Sequence, residues 1–125
     1  MTNDNVSVIY NMNPLRVVFY PEGDSGPVLC FLEELKARRP AVLVKLAVDL
    51  KALEVEGLRS NKISIRPMGD GLWELKRLFE GVQYRIFLSL GGGCVWLLHA
   101  IEKKSARTPL NDLRLARKRM RGIVS

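Results

Sequence analysis

The chain is poor in the residues that carry metal and redox chemistry: its 125 residues include two cysteines, Cys30 and Cys94, and one histidine, His99. Such a set cannot supply tetrahedral zinc ligation, and no metal or other cofactor is expected. The two cysteines are far apart and each lies in an apolar segment, so they read as small core residues and not as a disulfide. Long apolar runs are missing as well. The most apolar helical window, Ala41 to Leu53, is broken by Lys45, Asp49 and Lys51, short of the ~20 uninterrupted apolar residues of a membrane span. The first residues, MTNDNVSVIYNM, show no basic patch followed by an apolar stretch, so no secretory signal is expected. These absences describe a soluble, cytoplasmic chain with no membrane partner. There is no internal repeat and no low-complexity segment.

What is present is an uneven distribution of charge. The formal net charge is +7, and all of it lies between Lys103 and Ser125, where eight Lys or Arg accompany the single acid Asp112. Residues 1–102 carry twelve charges of each sign and cancel. Clustered cations neutralise phosphates and release their counterions, so nucleic acid is the leading partner; a solvated basic helix is the plainer explanation. With 47% hydrophobic residues, the chain can bury a core as one domain over residues 1–125. Residues 1–14 read as an extension and residues 103–125 as a basic C-terminal segment.

Local patterns set the expected elements. Leu15 to Tyr20 is β-branched and aromatic and stops at Pro21, which predicts a strand. Ser25 or Gly26 caps a helix opened by Pro27, with Val28, Leu29, Phe31, Leu32 and Leu35 on its apolar side. Pro40 opens a second helix in which Val42, Leu43, Leu46, Leu50 and Leu53 recur at helical spacing up to Gly57. Residues 58–71 have no sustained period and read as a loop. Three strands follow, Leu72 to Phe79, Val82 to Leu90 and Cys94 to Ile101, joined by short turns that demand antiparallel hairpins. Thr108 caps a last helix with Pro109 in its first turn. Leu110, Leu113, Ala116 and Met120 form its docking side, with Arg114, Arg117, Lys118 and Arg121 opposite. The expected fold is α+β in the order β-α-α-β-β-β-α: an antiparallel sheet, a helical hairpin on one face and a basic C-terminal helix.

Four short motifs stand in order on these elements: Glu74-Leu75-Lys76, Tyr84-Arg85-Ile86, Leu97-Leu98-His99 with Lys103-Lys104, and Thr108-Pro109 through Arg119. Together they resemble the RelE/HigB superfamily of bacterial toxins, in its phage-derived HigB-like branch. The resemblance implies a RelE-like fold and the toxin of a type II toxin-antitoxin pair, most often an endoribonuclease that cuts mRNA on the ribosome without a metal. It also implies a cognate antitoxin of helix-turn-helix type. A gyrase inhibitor of ParE type and an inert co-repressor are the alternatives on the same fold.

Metal-free RNA cleavage uses the substrate's own 2′-hydroxyl as nucleophile, so positioning and charge stabilisation carry most of the work. Period-two alternation sets Glu74 and Lys76 opposite Trp73, Leu75 and Phe79, and sets Arg85 opposite Tyr84, Ile86, Leu88 and Leu90. Lys76 and Arg85 are thus expected to share the sheet face that the helices leave uncovered. There Arg85 would clamp the scissile phosphate with its planar fork, or alternatively pair with Glu74. His99 shares parity with Leu97 and Ile101 and is a candidate general base, or else a satisfied core or rim residue. By resemblance, one of Lys103 and Lys104 stabilises the transition state or donates a proton while the other holds RNA, and Lys76 serves similar ends. Glu74 stands where the toxins' strand has its first lysine, and the carboxy-terminal tyrosine of the best-known toxin has no counterpart. Arg77, Arg107, Arg114, Arg117, Lys118 and Arg121 are expected to hold RNA or the ribosome. Gly91-Gly92-Gly93 lacks the Lys-Ser/Thr of a phosphate loop and reads as a turn, and Trp73 and Trp96 read as core.

Overall fold

A computed structural model describes residues 15–21, 24–104, 107 and 109–123. Strand β1 (Arg16–Phe19) leads into helix α1 (Pro27–Arg38) and helix α2 (Pro40–Glu56). A 3-10 turn, Gly57–Arg59, precedes β2 (Ser64–Gly69), β3 (Leu72–Phe79), β4 (Val82–Gly91), β5 (Cys94–Lys103) and helix α3 (Leu110–Arg121). The architecture is mixed α+β, a five-stranded sheet with a helical hairpin and a C-terminal helix, compatible with the RelE-like fold.

The sheet order is β1-β5-β4-β3-β2, with β1 parallel to β5 and every other pair antiparallel. Its hairpins turn on two residues each. Glu80 and Gly81 take φ of 50° and 79°, the left-handed pair whose twist matches the flanking strands. Before α1, Gly26 is obligatory, since a Cβ there would stand 1.9 Å from the Tyr20 carbonyl oxygen.

Two apolar clusters cover the two faces of the sheet. On one, Val28, Leu32 and Leu35 of α1 and Val42, Leu46 and Leu53 of α2 bury Leu75, Tyr84, Ile86, Leu88, Val95 and Leu97. On the other, Ala116 with half-buried Leu113, Met120 and Ile123 covers Leu72, Phe87 and Leu98. The second face is therefore not left bare, because α3 lies across part of it.

Four sequence expectations change. Residues 58–71 hold strand β2, which lacks an alternating pattern because it is an edge strand, paired only with β3 and interrupted by a register shift between Pro67 and Gly69. Pro109, not a helical residue, occupies the cap position of α3 with extended geometry, φ −65° and ψ 136°; the Thr108 cap lies outside the described residues. Leu110 is 67% exposed, off the docking side of α3. Cys30 is exposed on α1 and Cys94 half-buried, so only the latter approaches a core position.

Strand β5 carries one extra residue. Phe87 faces His99 while Leu88 faces Leu97, so Leu98 bulges and the alternation slips by one. Leu97 points into the hairpin core, whereas Leu98 and His99 both lie on the α3 side.

Candidate functional site

The α3-side face is laid out by the strand registers. Lys76 stands directly opposite Arg85, and Ser64 opposite Lys76. Arg85 in turn faces Ile101, Gln83 faces Lys103, and Phe87 faces His99. Alternation places Lys76, Arg85, His99 and Lys103 on this one face, in neighbouring rows of three adjacent strands. Lys76 and Lys103 are two strands and two residues apart, roughly 12 Å between backbones by sheet geometry, a span that two long side chains close.

Depth separates these residues. Arg85 is 1% exposed, and its Nη1 donates to Glu74 Oε2 at 2.8 Å, with Glu74 equally buried. Arg85 Nη2 donates to Gln83 Oε1, and Arg66 Nε donates to the second Glu74 oxygen at 2.9 Å. Arg85 is thus not the exposed phosphate clamp that alternation predicts: its fork is held by Glu74 and Gln83 inside a buried network. A buried carboxylate requires such partners, and Glu74 takes them from both neighbouring strands. Lys76 and Lys103 are half-buried and Lys104 is exposed, and none of the three side chains makes a hydrogen bond or ion pair among the described residues.

His99 is held at both ring nitrogens. Nε2 lies 2.7 Å from Asp112 Oδ1 and Nδ1 lies 3.5 Å from Arg119 Nη1, while the ring stacks on Phe87 at 6.2 Å between centroids. With Arg119 donating to Nδ1, the ring hydrogen sits on Nε2 and is donated to Asp112. Arg119 also donates to the Leu98 carbonyl at 2.7 Å and lies over the Tyr20 ring. In this arrangement His99 fastens α3 to the sheet and offers no unoccupied nitrogen as a base, the satisfied-residue alternative of the sequence.

The expected RNA-contact cations divide in two. Arg107, Arg114, Lys118 and Arg121 are exposed. Arg117 instead donates to the Met68 and Gly69 carbonyls at 2.6 and 3.0 Å, pinning α3 to the β2–β3 turn. Arg77 points to the hairpin side, where its Nε and Nη2 donate to the buried carboxylate of Asp49, which raises the guanidinium above its ordinary pKa. Both are therefore engaged within the fold, Arg77 by the buried carboxylate of Asp49 and Arg117 by the two turn carbonyls.

Arg66, Gln83, Asp112 and Arg119 are the members of this face that sequence reasoning missed. One signal was visible: Asp112 is the only acid among eight C-terminal cations, seven residues from Arg119 and so on the same side of α3.

Residues 33–121 match the family described as Phage derived protein Gp49-like (DUF891). The chain belongs to this phage-derived family. Gp49-like proteins are toxin-like and related to the RelE/HigB type, which implies an antitoxin partner. Neither a curated protein nor a solved structure matches the chain significantly. In this Gp49-like chain no helix among the described residues is long and apolar enough to cross a membrane.

Proposed function

We propose that this chain is the single-domain toxin of a type II toxin-antitoxin pair and an endoribonuclease that cuts mRNA on the ribosome, in the cytoplasm. The observation that carries the reading is the row of Lys76 beside Arg85 with Lys103 beyond Gln83, on the one sheet face shared with the basic helix α3. Lys76, Lys103 and Lys104 are the groups that touch the phosphate. Arg85 is a positioning residue: buried opposite Lys76, it orders Glu74 and Gln83 beneath the lysines.

The reaction follows from that set. The 2′-oxygen of the substrate attacks the adjacent phosphorus, the bond to the 5′-oxygen breaks, and the products are a 2′,3′-cyclic phosphate and a 5′-hydroxyl. The lysine ammoniums stabilise the phosphorane charge, and one of Lys103 and Lys104 protonates the departing 5′-oxygen. The 2′-hydroxyl proton passes to solvent, since His99 is occupied by Asp112 and Arg119. Arg107, Arg114, Lys118 and Arg121 supply affinity for ribosomal RNA.

A second reading is favoured by the burial of Arg85 and the occupied ring of His99: a toxin of the same fold that acts without cutting RNA, as a gyrase inhibitor or an antitoxin-binding co-repressor. One experiment separates them. Inducing the protein and mapping 5′ ends of cellular mRNA gives new ends inside translated codons for the nuclease. DNA-damage signalling with intact mRNA selects the gyrase reading.

A further inference from the structure

Strand β2 starts at Ser64, directly opposite Lys76, so β3 runs on through Arg77, Leu78 and Phe79 with a strand partner on the β4 side alone. Into that step opens a cleft of about 270 Å³, lined by Lys62, Ser64, Lys76, Arg77 and Leu78. Pockets for drug-sized ligands span roughly 300–1,000 Å³, so this one has room for a single planar ring system.

Its lining residues are not equivalent. Lys62 is answered by Glu56 and Arg77 by Asp49. The Lys76 ammonium and the Ser64 hydroxyl have no hydrogen bond or ion pair among the described residues. Leu78 is 62% exposed. Alternation turns it to the α3 side, two residues from Lys76, roughly 7 Å along the strand, and opposite Gln83, whose other neighbour is Lys103. An uncovered leucine standing singly on a surface is ordinary. This one lies in a concave step, beside an unanswered ammonium and an unanswered hydroxyl.

We infer that the cleft receives the unpaired base of a nucleotide whose phosphate is held by Lys76. Leu78 covers one face of the ring, and the Ser64 hydroxyl, both donor and acceptor, meets its polar edge. The assignment rests on the RNA-cutting reading, which puts phosphate on Lys76, and it makes Ser64 and Leu78 determinants of which base stands next to the cut. Single-stranded RNA offers the matching combination, an anion close to a flat apolar face with hydrogen-bonding edges. An acidic protein side chain would answer Lys76 but bring no apolar surface to Leu78.

The test adds 2′-O-methyl RNA trinucleotides, whose blocked nucleophile prevents cleavage, to the isotope-labelled full chain. One probe is the all-adenine trinucleotide; the others each lack one base and keep every phosphate. The complete probe is expected to shift the Leu78 methyl resonances, and one abasic version should lose that shift and about fivefold in affinity. In Leu78→Ala the complete and abasic probes should bind alike. Lys76→Ala should weaken all of them, and Ser64→Ala should narrow the preference between adenine and uracil trinucleotides. Leu78 methyls unmoved by every probe, or moved equally by the complete and all abasic ones, would overturn the assignment. A base bound at Leu78 in a chain that leaves cellular mRNA whole keeps the subsite and sinks only the cleavage reading. New mRNA ends with Leu78 unmoved by any probe sink only the subsite.

Discussion

Glu74 and Arg85 stand on adjacent strands, both 1% exposed, joined by a 2.8 Å hydrogen bond between Oε2 and Nη1. Arg66 and Gln83 complete the set from β2 and β4. This pair ties strands β3 and β4 together on the α3 side of the sheet.

Removing one partner of that pair leaves a charge buried without its counterpart. Arg85→Ala and Glu74→Ala should each destabilise the chain by about 3–5 kcal/mol, read as a drop in urea midpoint. Replacing both by apolar residues of similar volume should cost much less than the sum of the two. Additive losses would show that the pair is not coupled.

His99 fastens α3, so His99→Ala should act on the helix before it acts on chemistry. Backbone amides of residues 112–121 are expected to exchange faster, and Asp112→Asn should reproduce the effect. RNA cleavage or growth arrest should survive in both. Abolished activity with unchanged exchange in α3 would return His99 to the site as a catalytic base.

Neighbouring arginines on α3 should behave differently. Lys118→Ala and Arg121→Ala should each weaken RNA binding uniformly and lower the salt slope by about 1, with no change in melting temperature. Arg117→Ala should instead lower stability, by about 1 kcal/mol, because it removes the hydrogen bonds that hold α3 to the Met68 and Gly69 carbonyls. An unchanged melting temperature in Arg117→Ala would move it to the binding set.

Acid should test the ion pair at the end of α2. Hydrogen bonds from Lys62 and then Ser60 hold the Glu56 carboxyl below its ordinary value of 4.5. A carboxyl depressed in the folded state contributes its stability fully above the unfolded value and loses it as pH falls through the folded one. The contribution should therefore fade only below about pH 4.5. A carboxyl-resolved NMR titration reads this directly, and in Lys62→Ala the Glu56 value should rise.

Much of the fold is legible in the sequence because burial writes itself as periodicity. The helical hairpin follows from Val28, Leu32, Leu35, Val42, Leu46 and Leu53, and the strands from Leu72 to Phe79 and from Val82 onward follow from alternation. Strand β2 is not legible, since an edge strand beside a register shift has half-buried Ile65 and Met68 and little else. Alternation also sets Lys76 and Arg85 on one face, which the registers bear out. It encodes side but not depth. The Arg85–Glu74 pair is one of two readings the sequence allows, but nothing in the spacing tells that it is buried or that Gln83 joins it, and nothing in Arg117 or Arg77 distinguishes a bound arginine from a solvated one. The family assignment rests on the whole span 33–121, where many weak signals combine.

The supernumerary Leu98 makes the orientation of the last strand a property of two strands jointly. Without the step at Phe87 and Leu88, simple alternation would turn His99 toward the hairpin, away from Asp112 and Arg119. Transplanting residues 94–103 into another sheet would therefore not carry the imidazole's placement with them. Any redesign of this surface has to treat β4 and β5 as one indivisible ribbon.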